Sequence, residues 1–242
     1  MKIILYFTMG YPDRATLSRF IASIPEDTVQ YIELGFPSPD PKYDGPEIRK
    51  THAAASFDAE DLEEIAGVAR DSAEKVYALR YVSDFIQEPS FTDTVRNAGF
   101  SGIIAPDLLT DYFQERREIV AGIERSGLEF IPFINPSTPD PVISEVLRTA
   151  GSWIYYGLLP STGIMVPYDV NAITERIHGM NSGRKVVVGF GIRSLEDARK
   201  ISSTGAYGVA IGTMLIRYLE RGDVEAFSSL ITRFSEVAED VQ

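Results

Sequence analysis

Cysteine is absent from this 242-residue chain, and histidine occurs only twice. The lack of cysteine excludes a disulfide framework, a thiolate metal site and a cysteine nucleophile. With two histidines, a multi-histidine metal centre or a serine–histidine relay is poorly supported, and we predict no metal site. His52 follows a predicted helix start and His178 lies in a polar stretch, so we interpret both as surface residues without a catalytic role.

Positive charge is also scarce. The 23 lysines and arginines stand against 35 aspartates and glutamates, which gives a formal net charge of -12. This balance argues against a general attraction to nucleic acid or anionic lipid, so a phosphorylated ligand would have to be held locally by backbone amides. The chain has no apolar run of membrane-spanning length and begins on a predicted strand without a signal or transit peptide. We therefore expect a cytoplasmic protein.

Short β-branched runs alternate with longer amphipathic stretches, as is typical of repeated βα units and a parallel sheet. The predicted strands of eight such units are Lys2–Thr8, Val29–Glu33, Val76–Leu79, Gly102–Ala105, Phe130–Ile134, Trp153–Tyr156, Lys185–Gly189 and Gly208–Ile211. Eight units in roughly 250 residues are the usual size of a (β/α)8 TIM barrel. We predict one barrel domain over residues 1–242, with a closed parallel sheet ringed by helices. A doubly wound open sheet is the alternative.

Chemically distinctive residues follow directly after the predicted strands. They are Gly10-Tyr-Pro12, Glu33-Leu-Gly35, Asp107, Asn135-Pro136, Thr162-Gly163, Gly189-Phe-Gly191 and Gly212-Thr213. An open sheet uses one crevice, whereas a barrel gathers its site from the loops after many strands. This distribution favours the barrel.

Two carboxylates have the most informative placement. Glu33 ends an apolar strand, and Asp44 lies in the long Pro/Gly-rich loop Gly35–Pro46 that follows it. One desolvated and one loop-borne carboxylate can have different pKa values and so divide acid and base work in one pocket. The alternative is a merely solvated acidic loop.

Glycines after the seventh and eighth strands indicate a phosphate site. Gly189-Phe190-Gly191 and Gly212-Thr213 occupy the two loops that commonly bind phosphate in barrels, and Thr213–Tyr218 could form the short extra helix. Glycine lets the backbone approach an anion closely. Glycines at such places also serve ordinary tight turns, so each motif alone is weak.

Taken together, these motifs resemble the alpha subunit family of tryptophan synthase. The likeness rests on Glu33-Leu-Gly-x-Pro, Asp40-Pro-x-x-Asp44-Gly45, Gly189-Phe-Gly191 and Gly212-Thr213, and it begins at Thr8-Met-Gly-Tyr-Pro12. It implies a lyase of tryptophan biosynthesis that cleaves indole-3-glycerol phosphate to indole and D-glyceraldehyde 3-phosphate by a retro-aldol reaction. It also implies that Glu33 is the acid and base at indole C3 and at the glycerol hydroxyl. Asp44 would stabilise the charge that develops at the indole N–H.

The resemblance implies binding residues as well. The indole slot would be formed by Tyr6, Leu79, Ile104 and Ile134, with Tyr81 near the site, and the phosphate site by Phe190, Gly191, Gly212, Thr213 and the backbone N–H of Val166. For the apolar members of the slot, the alternative is ordinary barrel core.

The family's partner is a beta subunit that holds pyridoxal phosphate and receives indole through a tunnel. The resemblance implies an alpha-beta-beta-alpha assembly and no cofactor in this chain. The implied partner contact consists of Pro37, Asp40, Pro41 and Asp107.

Two departures from the family pattern keep other functions open. Thr162–Val166 lacks the second glycine and the threonine expected in the sixth loop, and Gly157 replaces a tyrosine expected two places after Tyr155. One alternative is a catalytically weak barrel that mainly regulates a beta subunit. The other is a different phosphate-binding barrel enzyme, such as a phosphosugar isomerase or indole-glycerol-phosphate synthase.

Overall fold

The computed structural model of the chain describes residues 1–149, 151–158, 172, 175, 176, 178, 179, 183–189 and 191–239. Within this part the strands are β1 (Lys2–Thr8), β2 (Tyr31–Gly35), β3 (Lys75–Leu79), β4 (Gly102–Ile104), β5 (Glu129–Ile131), β6 (Phe133–Ile134), β7 (Trp153–Gly157), β8 (Lys185–Gly189) and β9 (Gly208–Ile211). The helices are α1 (Arg14–Ala22), α2 (Pro46–Ala54), α3 (Ala59–Ser72), α4 (Val82–Phe85), α5 (Phe91–Asn97), α6 (Leu108–Asp111), α7 (Arg116–Arg125), α8 (Asp140–Thr149), α9 (Leu195–Ser202), α10 (Thr213–Arg221) and α11 (Val224–Glu239).

All paired strands run parallel in one sheet of order β5-β4-β3-β2-β1-β9-β8-β7-β6. The two ends of this order, β5 and β6, are separated in the chain by Pro132 alone. They are halves of one predicted strand, Phe130–Ile134, which proline interrupts because it has no N–H for the ladder. The sheet therefore returns on itself as a nearly closed barrel of eight strand positions, which confirms the predicted fold class.

Side-chain alternation divides the core into two layers. On β1, Ile3, Leu5 and Phe7 pack outward against the helices, whereas Ile4 and Tyr6 belong to the inner cluster. Helix ends follow the expected chemistry: Asp58 caps α3, and Ser194 accepts from the Asp197 N–H at 3.1 Å to cap α9. The helices thus cover the outside and leave the interior to the residues that point inward.

Aromatic side chains close the barrel at the amino ends of the strands, and we call this cluster the floor. Tyr31 stacks on Trp153 with ring centroids 5.7 Å apart, and Tyr77 meets both rings edge-on. Tyr207 extends the cluster beside Tyr31. Barrels of this kind carry their sites at the opposite end, on the loops after the carboxyl ends of the strands. None of the helices that the structure describes is both long and apolar enough to cross a membrane.

Candidate active site

A cavity with about 430 Å³ of empty space opens at the carboxyl ends of the strands. Its lining residues are Tyr6, Glu33, Asp44, Ile48, Leu79, Tyr155, Gly191, Ile192, Ala210, Gly212 and Thr213. Both predicted carboxylates and the described parts of both predicted phosphate loops meet in it.

Glu33 lies on β2, in register with Tyr6 of β1, and its side chain is 0% exposed. Neither of its carboxyl oxygens has a hydrogen-bond partner among the described residues. Because burial penalises the charged form, the pKa of Glu33 is raised well above its ordinary value. Burial thus favours the protonated form of Glu33, and its oxygens face the cavity without a partner among the described residues.

Asp44 is fixed by its loop. Its backbone N–H donates to the Pro41 carbonyl at 2.9 Å, and Arg49 Nε donates to the Asp44 carbonyl at 2.7 Å. The Tyr81 hydroxyl donates to Asp44 Oδ2 at 2.8 Å. Burial raises the pKa of Asp44 to about 7, although the Tyr81 hydrogen bond and the Arg49 charge act in the opposite direction. The carboxyl group can therefore ionise near neutral pH.

The expected contrast between the two carboxyl groups takes a different physical form. Asp44 is only 6% exposed, so both groups are desolvated, and the loop does not leave Asp44 in solvent. What separates them is hydrogen bonding, since Tyr81 supports the ionised form of Asp44 and no described group supports that of Glu33. The same cavity thus contains one carboxyl group whose protonated form is favoured and one that can ionise near neutral pH.

Two tyrosines of the inner cluster, Tyr6 of β1 and Tyr155 of β7, line the same cavity as Glu33. A Cβ added at Gly35 would lie only 2.2 Å from the Tyr6 hydroxyl oxygen. A Cβ added at Gly189 would likewise lie 2.3 Å from the Tyr155 hydroxyl oxygen. Burial, followed by carboxylate charges that include Glu33, raises the pKa values of both tyrosines, so both hydroxyls stay protonated. Glycines at the strand ends therefore make room for two phenol groups in the cavity wall.

The far side of the cavity suits an anion. Gly191 has a φ of +133°, a conformation that favours glycine, and Gly212 is the N-cap of α10, whose first residue is Thr213. The positive end of the α10 helix dipole therefore lies on this side. The predicted extra helix exists and continues to Arg221. Phe190 and Val166, the remaining predicted phosphate ligands, lie outside the described residues, as does most of the loop Leu158–Pro167.

The residues predicted for the indole slot divide into three groups. Tyr6 and Leu79 line the cavity. Ile104 and Ile134 are fully buried but do not appear in the cavity wall. Ile104 belongs to the inner cluster of the barrel, whereas Ile134 packs in the outer cluster against the helices, which corrects its assignment to the slot. Tyr81 is fully buried and touches the site through its hydrogen bond to Asp44.

Several cavity residues did not emerge from the sequence as site candidates. They are Ile48, Tyr155, Ile192 and Ala210. Tyr155, Ile192 and Ala210 lie on or just after the last three strands, so the strand-end rule that found Glu33 could have found them. Ile48 carries no such signal, because it reaches the cavity only through the packing of α2.

The four predicted partner-contact residues differ in exposure. Asp40 is exposed and Pro37 is half-buried, whereas Pro41 is buried. Asp107 is 0% exposed, and its two carboxylate oxygens accept from the Val82 N–H at 2.9 and 3.1 Å. Its side chain therefore supports the start of α4 from within the chain and does not present surface, which corrects that part of the expectation.

His52 corrects the sequence interpretation. It is 4% exposed, with hydrogen bonds from both ring nitrogens, and is not the surface residue that its polar neighbours suggested. Among the described residues, no group of three histidine, cysteine, aspartate or glutamate side chains is placed to hold a metal ion.

Comparison with known proteins settles the family. The sequence profile described as tryptophan synthase alpha chain matches residues 1–242. The chain belongs to the tryptophan synthase alpha chain family. It is 33% identical over 240 residues to the tryptophan synthase alpha chain of Saccharolobus solfataricus, covering 98% of this chain and 97% of that one. The homologue from Sulfurisphaera tokodaii is also 33% identical, over 95% of this chain and 94% of its own.

Solved structures agree with the barrel. A chain from Aquifex aeolicus superposes with a TM-score of 0.84 at 26% identity, covering 98% of this chain and 92% of its own. An alpha subunit mutant from Pyrococcus furiosus gives 0.81 at 23% identity, with 98% and 97% covered, which shows the shared fold. The predicted family is thus confirmed. Alpha chains of this family carry no cofactor and pair with a beta subunit, which holds pyridoxal phosphate.

Proposed function

We propose that this chain cleaves indole-3-glycerol phosphate to indole and D-glyceraldehyde 3-phosphate, with Glu33 and Asp44 as its catalytic residues. One observation carries the proposal: a fully buried Glu33, without a partner among the described residues, and a hydrogen-bonded Asp44 line the same cavity, whose other side is the N-terminus of α10. A retro-aldol cleavage of this substrate needs these three elements, namely a proton donor, an anion near the ring nitrogen and a phosphate site.

Glu33 acts first as an acid. Its raised pKa keeps a proton available at neutral pH, and it transfers this proton to C3 of the indole ring. The resulting Glu33 carboxylate accepts the proton of the glycerol hydroxyl next to the ring. The carbon–carbon bond then breaks, its electron pair restores the aromatic indole, and the hydroxyl oxygen becomes the aldehyde carbonyl.

Asp44 stabilises the intermediate charge. Protonation at C3 places a positive charge on the indole nitrogen, and the Asp44 carboxylate accepts a hydrogen bond from that N–H. Because Tyr81 occupies only Oδ2 and Asp44 is 6% exposed, the attraction acts at a lower effective dielectric constant than in water. Asp44 thus contributes most in the transition state.

The phosphate would bind at the backbone of Gly191, Gly212 and Thr213. We expect Gly212→Asp to raise KM by at least about tenfold, since a Cβ there would lie 3.1 Å from the Tyr6 ring and the new charge would oppose the phosphate. Gly212→Ala is the matched control, because it adds the Cβ without the charge. Equal KM values for the wild type and Gly212→Asp would remove this loop from the site.

Assembly and location complete the proposal. We infer an alpha-beta-beta-alpha complex in which Pro37 and Asp40 contribute surface to the beta subunit. We also infer a single barrel domain over residues 1–242 and a place in the cytoplasm.

The deciding assay mixes the purified chain with indole-3-glycerol phosphate, with and without a beta subunit, and follows indole release. Release that requires this chain supports the proposal. No release under either condition contradicts it and leaves a regulatory role. Turnover of another phosphosugar in place of indole-3-glycerol phosphate would indicate a different barrel enzyme.

A further inference from the structure

His52 on α2 packs between β1 and the loop that carries Asp44. Its Nδ1 accepts a hydrogen bond from the Ser38 backbone N–H at 3.0 Å, and its Nε2 lies 3.0 Å from the Tyr6 hydroxyl oxygen. A backbone N–H can only donate, so Nδ1 carries no proton and the neutral ring is protonated on Nε2. Burial lowers the pKa of His52 to about 4, so the ring is neutral at pH 7. Nε2–H therefore donates to Tyr6.

The hydroxyl groups beyond Tyr6 have one possible direction. Thr51 donates to the Ile48 carbonyl at 2.7 Å, which uses its only proton. Thr8, at 2.6 Å from Thr51, must then be the donor of that pair. Since Thr8 has used its proton, Tyr6 is the donor in the 3.4 Å contact with Thr8. The Tyr6 proton takes this direction because His52, which lies 4.0 Å from Asp44 Oδ2, already donates to the other side of the Tyr6 oxygen. The chain of donors thus runs from Ser38 through His52, Tyr6, Thr8 and Thr51 to Ile48.

This direction has a consequence for the two carboxyl groups in the cavity. The Tyr6 hydroxyl lies close enough to Asp44 and Glu33 for their charges to raise its pKa, after burial, which is the larger cause. Its proton is nevertheless directed away from them, toward Thr8. Among the described residues, Asp44 keeps Tyr81 as its one side-chain donor, and Glu33 keeps none.

We propose that His52 is a positioning residue for the cleavage reaction: by donating from Nε2 to Tyr6, it turns the Tyr6 hydroxyl proton away from Asp44 and Glu33. The inference rests on the proposed function and adds a residue that does not touch the substrate. In this arrangement, Asp44 is left to accept from the ligand N–H, and Glu33 stays un-ionised.

Four described charged or titratable groups face the His52 ring. Tyr6 approaches from β1, Asp44 Oδ2 lies 4.0 Å from Nε2, and Asp40 and Arg49 line the outer cavity that His52 borders. Asp44 is therefore the carboxylate nearest to the His52 donor if Tyr6 loses its hydroxyl.

The test compares pH profiles of kcat/KM for His52→Phe, Tyr6→Phe and the double variant in the full chain. His52→Phe frees the Tyr6 hydroxyl to donate to Asp44, and Tyr6→Phe frees His52 to do so. A donor to the carboxylate stabilises its ionised form, so each single variant should move the acid limb, set by Asp44, down by about one pH unit. The double variant frees neither donor and should return the limb to the wild-type pH.

His52→Gln provides the rescue, because its Nε2 occupies the place of the histidine Nε2 and keeps the donor to Tyr6. It should restore the wild-type limb. Additive shifts in the double variant, or an unmoved limb in His52→Phe, would overturn the proposal. A purely structural role would lower activity without this reversal.

A second measurement does not depend on turnover or on any variant. The chain has two histidines, so ring ¹⁵N spectra of the unmodified protein can be assigned with His178→Gln. We expect a neutral His52 protonated on Nε2 at pH 7. A proton on Nδ1, or a charged ring, would contradict the inference. If the chain releases no indole, the proposed function fails, and these spectra still decide the state of His52.

Discussion

The two ends of the barrel interior each hold a glutamate, and they treat its carboxyl group in opposite ways. At the floor, Glu129 accepts from the Tyr77 hydroxyl at 2.6 Å, from Lys75 at 3.1 Å and from the Ser152 N–H at 3.0 Å. Burial alone would raise the pKa of Glu129, but these donors outweigh it and hold the pKa below its ordinary value. At the rim, Glu33 is fully buried without a partner among the described residues, and its pKa is raised.

The difference shows where stability and chemistry are separated in this fold. A carboxylate with three donors stabilises the native state as long as it is charged. A buried carboxyl group without donors destabilises its own ionised form and so remains a strong candidate for proton transfer. The carboxylate at the floor therefore stabilises the fold, whereas the carboxyl group at the rim lies in a less favourable environment that suits proton transfer.

The largest expected effect separates the two glutamates by activity. Glu33→Gln should lower kcat for indole release by about 10²–10⁴-fold, the usual contribution of a general acid–base group. Glu129→Gln, the matched control at the floor, should keep kcat near the wild-type value. Steady-state indole release from both purified variants measures the comparison, and similar losses in both would contradict it.

A smaller effect is expected for stability, and here the floor variant Glu129→Gln should be affected more than Glu33→Gln. Glu129→Gln removes the charge from three hydrogen bonds and should lower the free energy of unfolding by about 1.5–3 kcal/mol. Glu33→Gln should not lower it at pH 8, because the native carboxyl group has no partner to lose in the described part of the chain. Urea unfolding curves of both variants give these values. A larger loss for Glu33→Gln would show that its carboxyl group has a structural role.

The smallest expected effect concerns how the stability contributed by Asp44 depends on pH. The pKa of Asp44 is about 7 in the folded chain and about 3.9 when unfolded, so between these values the folded state holds a proton that the unfolded state releases. The stabilisation is complete below pH 3.9 and is lost as the pH rises through 7. We therefore expect the difference in Tm between Asp44→Asn and the wild type to shift in favour of the variant from pH 4 to pH 8. A constant difference would show that Asp44 is not held protonated.

Periodicity and strand-end position were sufficient to predict the barrel and the two carboxylates. The bounds of β1, β8 and β9 agree with the predicted ones, because β-branched runs between glycines and polar turns define them. The break at Pro132 was missed, although proline in the middle of a predicted strand was a signal for it.

The hydrogen-bond partners could not be predicted in the same way. His52 binds Tyr6, which is 46 residues away in the chain, and Ser38, and only the folded loop brings them together. Asp107 likewise supports Val82, 25 residues earlier. Local sequence reports the polarity of a residue's neighbours along the chain, whereas burial depends on neighbours in space. Polar residues that pack across elements are therefore where such interpretation fails.

The place that Tyr6 takes beside Gly35 makes two positions on adjacent strands depend on each other. Any side chain at residue 35 would occupy the volume of the phenol oxygen, 2.2 Å from the new Cβ. Substitution of Gly35 is thus restricted as long as residue 6 remains tyrosine. Residue 6 would have to change to a shorter side chain before residue 35 could change. The order of permitted changes, and not just their identity, is set by a single oxygen atom.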